Sequence, residues 1–322
     1  MNKVLITGSA GFIGSHLTQF LAKNGYDVLG VDKRHSNAGP ELYKSTICDI
    51  LDLEKLCKIF YEYQPDIVIH LAARTDLEEQ KNIEGYASNT KGTENVLRAI
   101  NSVGCVKRAL ITSSQLVCRI GYIPENDSDY CPNNLYGKSK ALAEQIVRNT
   151  ELPGVTWSLL RPTTIWGEGM SEHYQSFIRM VKGGKYFHVG KNLLHKSYGY
   201  VGNTIYQYMR FIESPAEIIH GRTFYIADYQ PLSLRKWVDS LAKELNANRV
   251  CSIPESLAWS VAYVGDFLNK VGFKRFPLNS FRLQNILTEY VFDLKSTENV
   301  CGPLPYSVEQ GIYRTIRWFE CK

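Results

Sequence analysis

Three glycines near the start of the chain, Gly8, Gly11 and Gly14, have the clearest chemical meaning in the sequence. They follow an apolar run, Val4-Leu5-Ile6, which predicts a buried parallel strand, and they precede an amphipathic helix pattern. A strand that turns through glycines into a helix presents free backbone N–H groups at the positive end of the helix dipole. Because a pyrophosphate binds well at such a turn, the spacing predicts a dinucleotide site.

A carboxylate, Asp32, stands at the predicted end of the second strand, 24 residues after Gly8. This spacing is close to the ~20 residues expected for the group that hydrogen-bonds the adenosine ribose. A carboxylate there repels the 2′-phosphate of NADP, so the sequence favours NAD, although Lys33 and Arg34 could soften that preference. The alternative is that Asp32 is only a solvated strand end.

Strand and helix patterns alternate through the first half of the chain, which predicts an α/β fold with a Rossmann-type, doubly wound parallel sheet. We expect residues 1–165 to form the dinucleotide-binding domain, with 195–228 returning to it. Residues 166–322 are expected to form a smaller, mostly α-helical substrate-binding domain. The predicted strands are 4–7, 28–31, 67–71, 108–112, 157–161 and 223–227, and the predicted helices are 15–24, 52–63, 89–103 and 136–150.

Composition narrows the class of protein. With 322 residues, 44% of them hydrophobic and 21% charged, the chain is typical of a globular protein of one large or two modest domains. A net charge of +5 without runs of like charge argues against nucleic acid as a partner, and it suits an acidic small ligand. No apolar run approaches the ~18 residues of a membrane span. Eight cysteines without metal-binding spacing, and a strand too early to leave room for a signal peptide, predict a cytoplasmic protein with free thiols and no metal.

Several further motifs follow the glycine-rich turn in a fixed order. They are His70-Leu71-Ala72-Ala73, Asn89-Thr90-Lys91-Gly92-Thr93, Ser113-Ser114 and Tyr136-Gly137-Lys138-Ser139-Lys140. With these motifs and the Thr-Gly-x-x-Gly-Phe-Ile-Gly start, the chain resembles the extended short-chain dehydrogenases/reductases, the group that contains UDP-galactose 4-epimerase and related nucleotide-sugar enzymes. The resemblance covers residues 1–165 and continues weakly to the end. It implies NAD as cofactor, a nucleotide-sugar substrate and a homodimer built on the helices 89–103 and 136–150.

The catalytic prediction rests on Ser114, Tyr136 and Lys140. Tyr136 and Lys140 are four residues apart, so a helix places them on one face. An unperturbed tyrosine titrates near ~10, and a nearby ammonium with an oxidised nicotinamide is expected to lower that value. Lys140 is also expected to hold the nicotinamide ribose, and Ser114 to hydrogen-bond the substrate. The alternative is an ordinary pair on a helix surface.

The resemblance implies cofactor roles for further positions. Phe12 and Ile13 would donate backbone N–H groups to the pyrophosphate. Asn89 would tie the sheet together near the cofactor, although a plain helix N-cap is an equally good interpretation. The remaining positions are Asp49 and Ile50 for the adenine, and Leu71, Ala72, Ala73 and Thr163 for the nicotinamide.

Three residues of the second half are candidates for substrate binding: His173, Lys196 and Arg282. The resemblance implies that His173 lies in a loop where the family meets the sugar. It also implies that Lys196, with Arg282 as a second cation, contacts the pyrophosphate of the nucleotide. Each of the three could instead be an ordinary solvated side chain.

The leading prediction is an NAD-dependent nucleotide-sugar epimerase that transiently oxidises a secondary alcohol, at C4. Sugar dehydratases of the family carry Asp-Glu where this chain has Gln115 and Leu116, which disfavours dehydration. An NAD(P)H-dependent 4-keto nucleotide-sugar reductase stays open, and so does a non-catalytic dinucleotide-binding scaffold. The apolar segment 257–268, for which core or lid packing is expected, and the segment 313–319 also resemble 3β-hydroxysteroid dehydrogenases and leave a sterol or lipid-linked substrate open.

Overall fold

The computed structural model describes residues 2–35, 42–272 and 278–321, and the chain divides into two compact units. The first segment of the first unit ends at Ile165, where the sequence places the end of the first domain. The first unit is Met1–Ile165, Gly199–Tyr229 and Asp293–Tyr306, and the second is Trp166–Tyr198, Gln230–Phe292 and Ser307–Lys322.

Two segments differ from the predicted division: residues 195–198 belong to the second unit, and Asp293–Tyr306 belongs to the first unit. Hydrogen bonds account for the position of Asp293–Tyr306. The Thr297 hydroxyl donates to the carbonyl oxygen of Tyr225 (2.7 Å), and the backbone nitrogen of Tyr306 donates to Oδ1 of Asn203 (3.0 Å).

The strands and helices of the described residues alternate through the first half as predicted. The strands are β1 (Lys3–Thr7), β2 (Asp27–Asp32), β3 (Lys44–Ile47), β4 (Ile67–His70), β5 (Arg108–Thr112), β6 (Thr156–Pro162), β7 (Thr164–Trp166), β8 (His188–Val189), β9 (His195–Lys196), β10 (Tyr198–Tyr200), β11 (Arg222–Ile226), β12 (Leu232–Ser233) and β13 (Ser252–Ile253). The α-helices are α1 (Phe12–Lys23), α2 (Leu53–Tyr63), α3 (Lys91–Ser102), α4 (Leu135–Asn149), α5 (Glu172–Lys182), α6 (Val201–Glu213), α7 (Ala216–Ile219), α8 (Leu234–Glu244), α9 (Glu255–Lys270), α10 (Ser280–Leu287), α11 (Lys295–Cys301) and α12 (Val308–Glu320).

A parallel sheet of seven described strands forms the centre of the first unit, in the order β11-β6-β5-β4-β1-β2-β3. The doubly wound parallel fold is therefore confirmed. The chain runs outward from β1 to β3 on one side and then from β4 to β11 on the other. The direction reverses between β1 and β4, and ligands of such sheets bind at the carboxyl ends of the strands at this point.

Burial explains which strands the sequence revealed. Val4, Leu5 and Ile6 of β1 are fully buried, as expected for a strand covered by helices on both faces. Burying each of these side chains stabilises the fold by roughly 1.5–3 kcal/mol. In contrast, β3 is a short edge strand with mostly exposed residues, so it carries no apolar run and was missed.

The helix ends differ by a few residues from prediction. Helix α1 begins at Phe12 rather than at residue 15. Its N-cap is Gly11, which has no side chain to cap the first turn. Helix α3 begins at Lys91 rather than residue 89, with Thr90 at its N-cap.

Helix α4, on which the homodimer is expected to be built, buries much of its apolar face inside the first unit. Ala141 and Val147 of α4 are buried in the core, at 5% and 0% exposure, so they do not offer a contact surface. Leu142 and Ile146 of the same helix are partly exposed. The homodimer itself stays a prediction.

The second unit is mostly helical and has an aromatic core. The indole of Trp237 stacks on Phe177 (5.7 Å between ring centroids) and meets Trp166 (5.4 Å) and Tyr198 (5.8 Å) edge-on. Short strand pairs, β12 with β9 and β13 with β8, complete this unit. Across the described parts of both units, no helix combines the length and the apolar character that crossing a membrane requires.

Candidate active site

The glycine-rich turn after β1 leaves its backbone open to a ligand. Gly8 has a φ of +76°, a left-handed conformation that favours glycine, and a Cβ there would lie 2.6 Å from the backbone nitrogen of Ala72. A Cβ on Gly14 would collide with the carbonyl oxygen of Gly8. Helix α1 starts without a side-chain cap, so the N–H groups of Phe12 and Ile13 have no helical acceptor. This cradle of bare backbone fits the pyrophosphate of a dinucleotide.

Asp32 at the end of β2 turns its carboxylate toward the glycine-rich turn. Its Oδ2 accepts a hydrogen bond from the backbone nitrogen of Ala10 (3.0 Å), and its Oδ1 accepts one from that of Arg34 (3.0 Å). The guanidinium of Arg34 lies 3.6 Å from Oδ1. Asp32 is thus held in place beside the cradle and is not merely a solvated strand end. Arg34 partly offsets the negative charge that would repel a 2′-phosphate.

Asp49 and Ile50 follow β3, next to Asp32. The backbone nitrogen of Cys48 donates to the carbonyl oxygen of Asp32 (2.9 Å), which brings this segment to the end of β2. Ile50 is buried, and its carbonyl oxygen accepts a hydrogen bond from Nδ2 of Asn95 (2.9 Å). The predicted adenine-binding residues therefore lie beside the predicted ribose-binding carboxylate.

Leu71, Ala72 and Ala73 continue the chain from β4 along the glycine-rich turn, and all three are partly exposed. The backbone nitrogen of Leu71 donates to the carbonyl oxygen of Thr7 (3.1 Å), and that of Ala72 donates to the Thr7 hydroxyl (3.4 Å). The contact between Ala72 and Gly8 therefore joins the predicted pyrophosphate and nicotinamide regions.

His70 is a buried residue that sequence reasoning quoted in a motif but assigned no role. Its Nδ1 lies 2.7 Å from the hydroxyl of Thr7 at the end of β1, and its Nε2 lies 3.1 Å from the hydroxyl of Thr93 on α3. Burial, with the nearby charge of Lys140, lowers the pKa of His70 to about 3, so the ring is neutral at neutral pH. His70 positions β1, β4 and α3 relative to each other.

Asn89 ties the segment after β4 to helix α4. Its Oδ1 accepts a hydrogen bond from the backbone nitrogen of Arg74 (2.8 Å), while its Nδ2 donates to the carbonyl oxygen of Arg74 (3.0 Å) and to the hydroxyl of Ser139 (2.8 Å). The Ser139 hydroxyl in turn donates to the carbonyl oxygen of Tyr136 (2.7 Å). The interpretation of Asn89 as a helix N-cap is wrong, because Thr90 holds that position in α3.

Ser114, Tyr136 and Lys140 are brought together by α4 and the loop after β5. Tyr136 and Lys140 lie on α4, both buried, and the Tyr136 side chain is hydrogen-bonded to Ser114. Gly137 lets the helix approach this loop, because a Cβ there would collide with the carbonyl oxygen of Leu116. The ammonium of Lys140 donates to the carbonyl oxygen of Thr112 at the end of β5 (2.8 Å).

Burial shifts the pKa values of both Tyr136 and Lys140. It raises the pKa of Tyr136, and the hydrogen bond with Ser114 opposes this rise. The lowering expected from an ammonium together with an oxidised nicotinamide stays a prediction. Burial lowers the pKa of Lys140 to about 8, and the carboxylate of Glu144 one turn away opposes that shift. The reason is that desolvation outweighs the short-range charges inside this core.

A buried ion pair fixes α4 against β6. The guanidinium of Arg161 donates to both carboxylate oxygens of Glu144, from Nε at 2.8 Å and from Nη2 at 2.7 Å, and both side chains are fully buried. Nη2 also donates to the carbonyl oxygen of Asp127 (2.6 Å). The sequence analysis assigned no role to Arg161 or Glu144, because the two residues are 17 positions apart and no local pattern joins them.

Thr163 follows β6 and faces β11. Its backbone nitrogen and its hydroxyl both donate to the carbonyl oxygen of Ile226, at 3.0 and 3.3 Å. The hydroxyl is thus used inside the sheet, and the role of Thr163 toward a nicotinamide stays a prediction.

The three predicted substrate residues lie in the second unit. His173 is in the first turn of α5 and not in a loop, and its side chain lies outside what the structure describes. Lys196 is not solvated: its ammonium donates to the carbonyl oxygen of Asn285 (2.7 Å), and burial lowers its pKa to about 8. Arg282 is exposed in the first turn of α10. Their contact with a substrate stays a prediction.

Within the described residues, no His, Cys, Asp and Glu side chains form a group of three or more that could hold a metal ion.

Comparison with known proteins gives both family and fold. A family model described as "NAD dependent epimerase/dehydratase family" matches residues 4–227. The chain is 28% identical to N-acetyl-alpha-D-glucosaminyl-diphospho-ditrans,octacis-undecaprenol 4-epimerase of Escherichia coli O157:H7, over 98% of this chain and 95% of that protein. It is 29% identical to 3-beta-hydroxysteroid dehydrogenase of Mycolicibacterium neoaurum, over 73% of this chain and 68% of that protein. The crystal structure of UDP-glucuronic acid 4-epimerase from Bacillus cereus in complex with NAD has the same fold, with a TM-score of 0.73 and 20% identity over 99% of both chains.

Proposed function

Because the chain belongs to the NAD dependent epimerase/dehydratase family, we propose that it is an NAD-dependent epimerase that inverts the C4 alcohol of a nucleotide sugar. The observation that carries this proposal is the buried set of Ser114, Tyr136 and Lys140. It combines a hydroxyl, a phenol and an ammonium at the carboxyl end of β5. A non-catalytic scaffold has no need to bury three such groups together.

The residues expected to bind the cofactor are those of the glycine-rich turn and the side chains beside it. The N–H groups of Phe12 and Ile13 would bind the pyrophosphate, Asp32 the adenosine ribose and Lys140 the nicotinamide ribose. NAD, when bound, accepts and returns a hydride.

Tyr136 would carry the proton of the reaction. Its phenolate takes the proton from the sugar hydroxyl as that carbon is oxidised, and the phenol returns it when the ketone is reduced. Since burial raises the pKa of Tyr136, the hydrogen bond of Ser114 is the feature of this chain that favours the phenolate. Ser114 would also hold the oxygen of the substrate in line with the phenol.

Product analysis tests this function. The purified protein with NAD is incubated separately with UDP-glucose, UDP-glucuronic acid and UDP-N-acetylglucosamine, and the products are identified by proton NMR. We expect the C4 epimer to appear without net change in nicotinamide absorbance. Net accumulation of NADH would instead favour a dehydrogenase, and consumption of NAD(P)H with a 4-keto sugar would favour the reductase.

A second candidate changes only the carrier of the sugar. The relative from Escherichia coli O157:H7, similar over nearly the whole chain, is named for 4-epimerisation of a sugar on undecaprenyl diphosphate. This similarity supports a lipid diphosphate in place of the nucleotide. Conversion of an undecaprenyl-diphosphate sugar, with no conversion of the nucleotide sugars, would select this candidate.

The cofactor preference, the assembly and the location belong to the same proposal. We expect tighter binding of NAD than of NADP, because the carboxylate of Asp32 is fixed beside the cradle. Calorimetry with both cofactors measures this, and equal or tighter binding of NADPH would show that Arg34 controls the site. A homodimer is supported by the resemblance of the first half, and light scattering that gives the 36.6 kDa monomer would contradict it. The cytoplasmic location is supported by the eight cysteines, whose spacing suits free thiols.

A further inference from the structure

Two cysteines of the first unit, Cys118 and Cys131, lie opposite each other in the segment between β5 and α4. They form an isolated parallel bridge: the backbone nitrogen of Cys131 donates to the carbonyl oxygen of Val117 (3.1 Å), and that of Arg119 donates to the carbonyl oxygen of Cys131 (2.7 Å). Residues paired in this way lie about 4.8 Å apart and project their side chains to the same face. That spacing falls within the span of about 4.4–6.8 Å between Cα atoms that a disulfide bridges.

The two thiols differ in their surroundings. Cys118 is buried, and its Sγ donates to the carbonyl oxygen of Asp129 (3.2 Å). Cys131 is half-buried, packs against the small apolar cluster that contains Cys118, and accepts a hydrogen bond at Sγ from the guanidinium of Arg119 (2.7 Å). Burial raises the pKa of Cys118, whereas a neighbouring cation favours the thiolate, which is the form that reacts with oxidants. An oxidant from solvent therefore meets Cys131 first, with Cys118 enclosed beside it.

This bridge lies between the candidate catalytic residues along the chain. Cys118 follows Ser114 by four residues, and Cys131 precedes Tyr136 by five. Cys118 also belongs to the same cluster as Ala141, the residue after Lys140. A covalent link between the two cysteines would therefore fix the segment that leads from Ser114 to α4.

We propose that Cys118 and Cys131 are a redox modification site, at which a peroxide converts the two thiols into a reversible disulfide. The Cys131 thiolate attacks one oxygen of hydrogen peroxide, so that an S–O bond forms, the O–O bond breaks, and the leaving oxygen takes up a proton and departs as water. The sulfur of Cys118 then displaces the hydroxyl from Cys131, which forms the S–S bond and releases a second water that carries the Cys118 proton. In total, two thiols lose two electrons and two protons, and one hydrogen peroxide is reduced to two waters.

A thiol reductant reverses the modification by exchange, which suits a compartment where disulfides are transient. All eight cysteines are free in the structure, which is the reduced form in this scheme. The modification does not depend on the proposed function, because neither NAD nor a sugar takes part in it.

Peptide mass spectrometry of the full chain tests the proposal. The protein is reduced with dithiothreitol, freed of reductant, treated with hydrogen peroxide, alkylated under denaturing conditions and digested with trypsin. Cleavage after Arg108, Arg119 and Lys138 places the two cysteines in separate peptides, 109–119 and 120–138, each with one cysteine. We expect these two peptides to be joined, with a mass about 2 Da below the sum of the reduced peptides, and dithiothreitol to separate them.

Serine variants test the two roles. In Cys118→Ser, the sulfenic acid on Cys131 has no thiol to displace it, so dimedone should label Cys131. In Cys131→Ser, we expect neither joined peptides nor dimedone on Cys118. Cys57→Ser on α2 is the matched control, because Cys57 is also half-buried, and it should leave the joined peptides unchanged. Arg119→Gln should slow their formation by at least about threefold, because the cation beside Cys131 is removed.

The result in the wild-type chain decides the proposal, so a variant that fails to fold does not affect it. Absence of the joined peptides at a peroxide concentration that oxidises the exposed Cys251 would refute it. Accumulation of sulfenic acid on Cys131 without joining, or joining of Cys131 mainly to another cysteine, would refute it as well.

Discussion

Two lysines are buried to nearly the same degree, Lys140 in the first unit and Lys196 in the second, at 4% and 3% exposure. Each ammonium donates to a backbone carbonyl oxygen, that of Thr112 at 2.8 Å and that of Asn285 at 2.7 Å. Burial lowers the pKa of each to about 8. By burial and pKa alone, the two residues could not be told apart.

Their surroundings differ. On α4, the phenol of Tyr136 lies one turn before Lys140 and the carboxylate of Glu144 one turn after it, and Glu144 opposes the fall in the lysine pKa. Lys196 instead lies over the ring of Tyr290, 4.8 Å from its centroid. The comparison teaches that burial and a lowered pKa do not by themselves identify a catalytic lysine, and that the partners beside Lys140 are what favour it as the candidate.

The largest expected difference between the two regions comes from the tyrosines. Tyr136→Phe should lower kcat by ~10²–10⁴, because the group that moves the proton is removed, while NAD binding changes little. Tyr290→Phe keeps the ring under Lys196 and should leave kcat within a few-fold of wild type. Steady-state kinetics on the identified substrate and calorimetry with NAD measure both variants. Near-normal turnover of Tyr136→Phe would refute the catalytic assignment.

The second-largest expected effect is on stability, and it concerns Glu144, the carboxylate one turn after Lys140. Arg161→Met leaves Glu144 buried without its partner, which should reduce the free energy of unfolding by about 3–5 kcal/mol. Lys91→Met breaks an exposed pair with Glu94 and should cost less than about 1 kcal/mol. Urea unfolding measures the free energy of unfolding of both variants. Equal losses would show that the Arg161–Glu144 pair does not anchor α4.

Replacing each lysine by methionine tests whether its ammonium has a role in cofactor or substrate binding. Lys140→Met should weaken NAD binding by about tenfold and lower kcat as well, because the ammonium is proposed to hold the nicotinamide ribose. Lys196→Met should leave NAD binding unchanged. A rise in KM for the sugar with unchanged kcat would support the predicted contact of Lys196 with the substrate, and an unchanged KM would assign it to the fold.

The smallest effect is a shared pH dependence. Each folded-state pKa, about 8, is below the ordinary lysine value of 10.5, so between these pH values the unfolded chain binds more protons than the folded one. Stability relative to either methionine variant should therefore rise as pH increases from about 8 to 10.5. Urea unfolding at several pH values measures it. If stability rises over this pH range relative to only one of the two methionine variants, the two lysines are not equally desolvated.

The sequence by itself determined the parallel sheet and the residues at its carboxyl ends. Val4-Leu5-Ile6 and the three glycines identify β1 and its turn because a buried strand and a close backbone approach each allow few residue types. The spacing of Tyr136 and Lys140 is local to one helix, so it survives folding unchanged. Edge strand β3 lacks any such restriction, and it was missed.

The tertiary structure alone decided what surrounds these residues. The Arg161–Glu144 pair, the bridge from Asn89 through Ser139, and the contacts of His70 join residues 17 to 63 positions apart, which no local pattern can indicate. Burial likewise decided that the pKa of Tyr136 rises and that Lys196 is enclosed, because desolvation depends on every element packed around a group. For the same reason only the fold showed that Ala141 and Val147 face the core, while Val264 and Phe267 face outward.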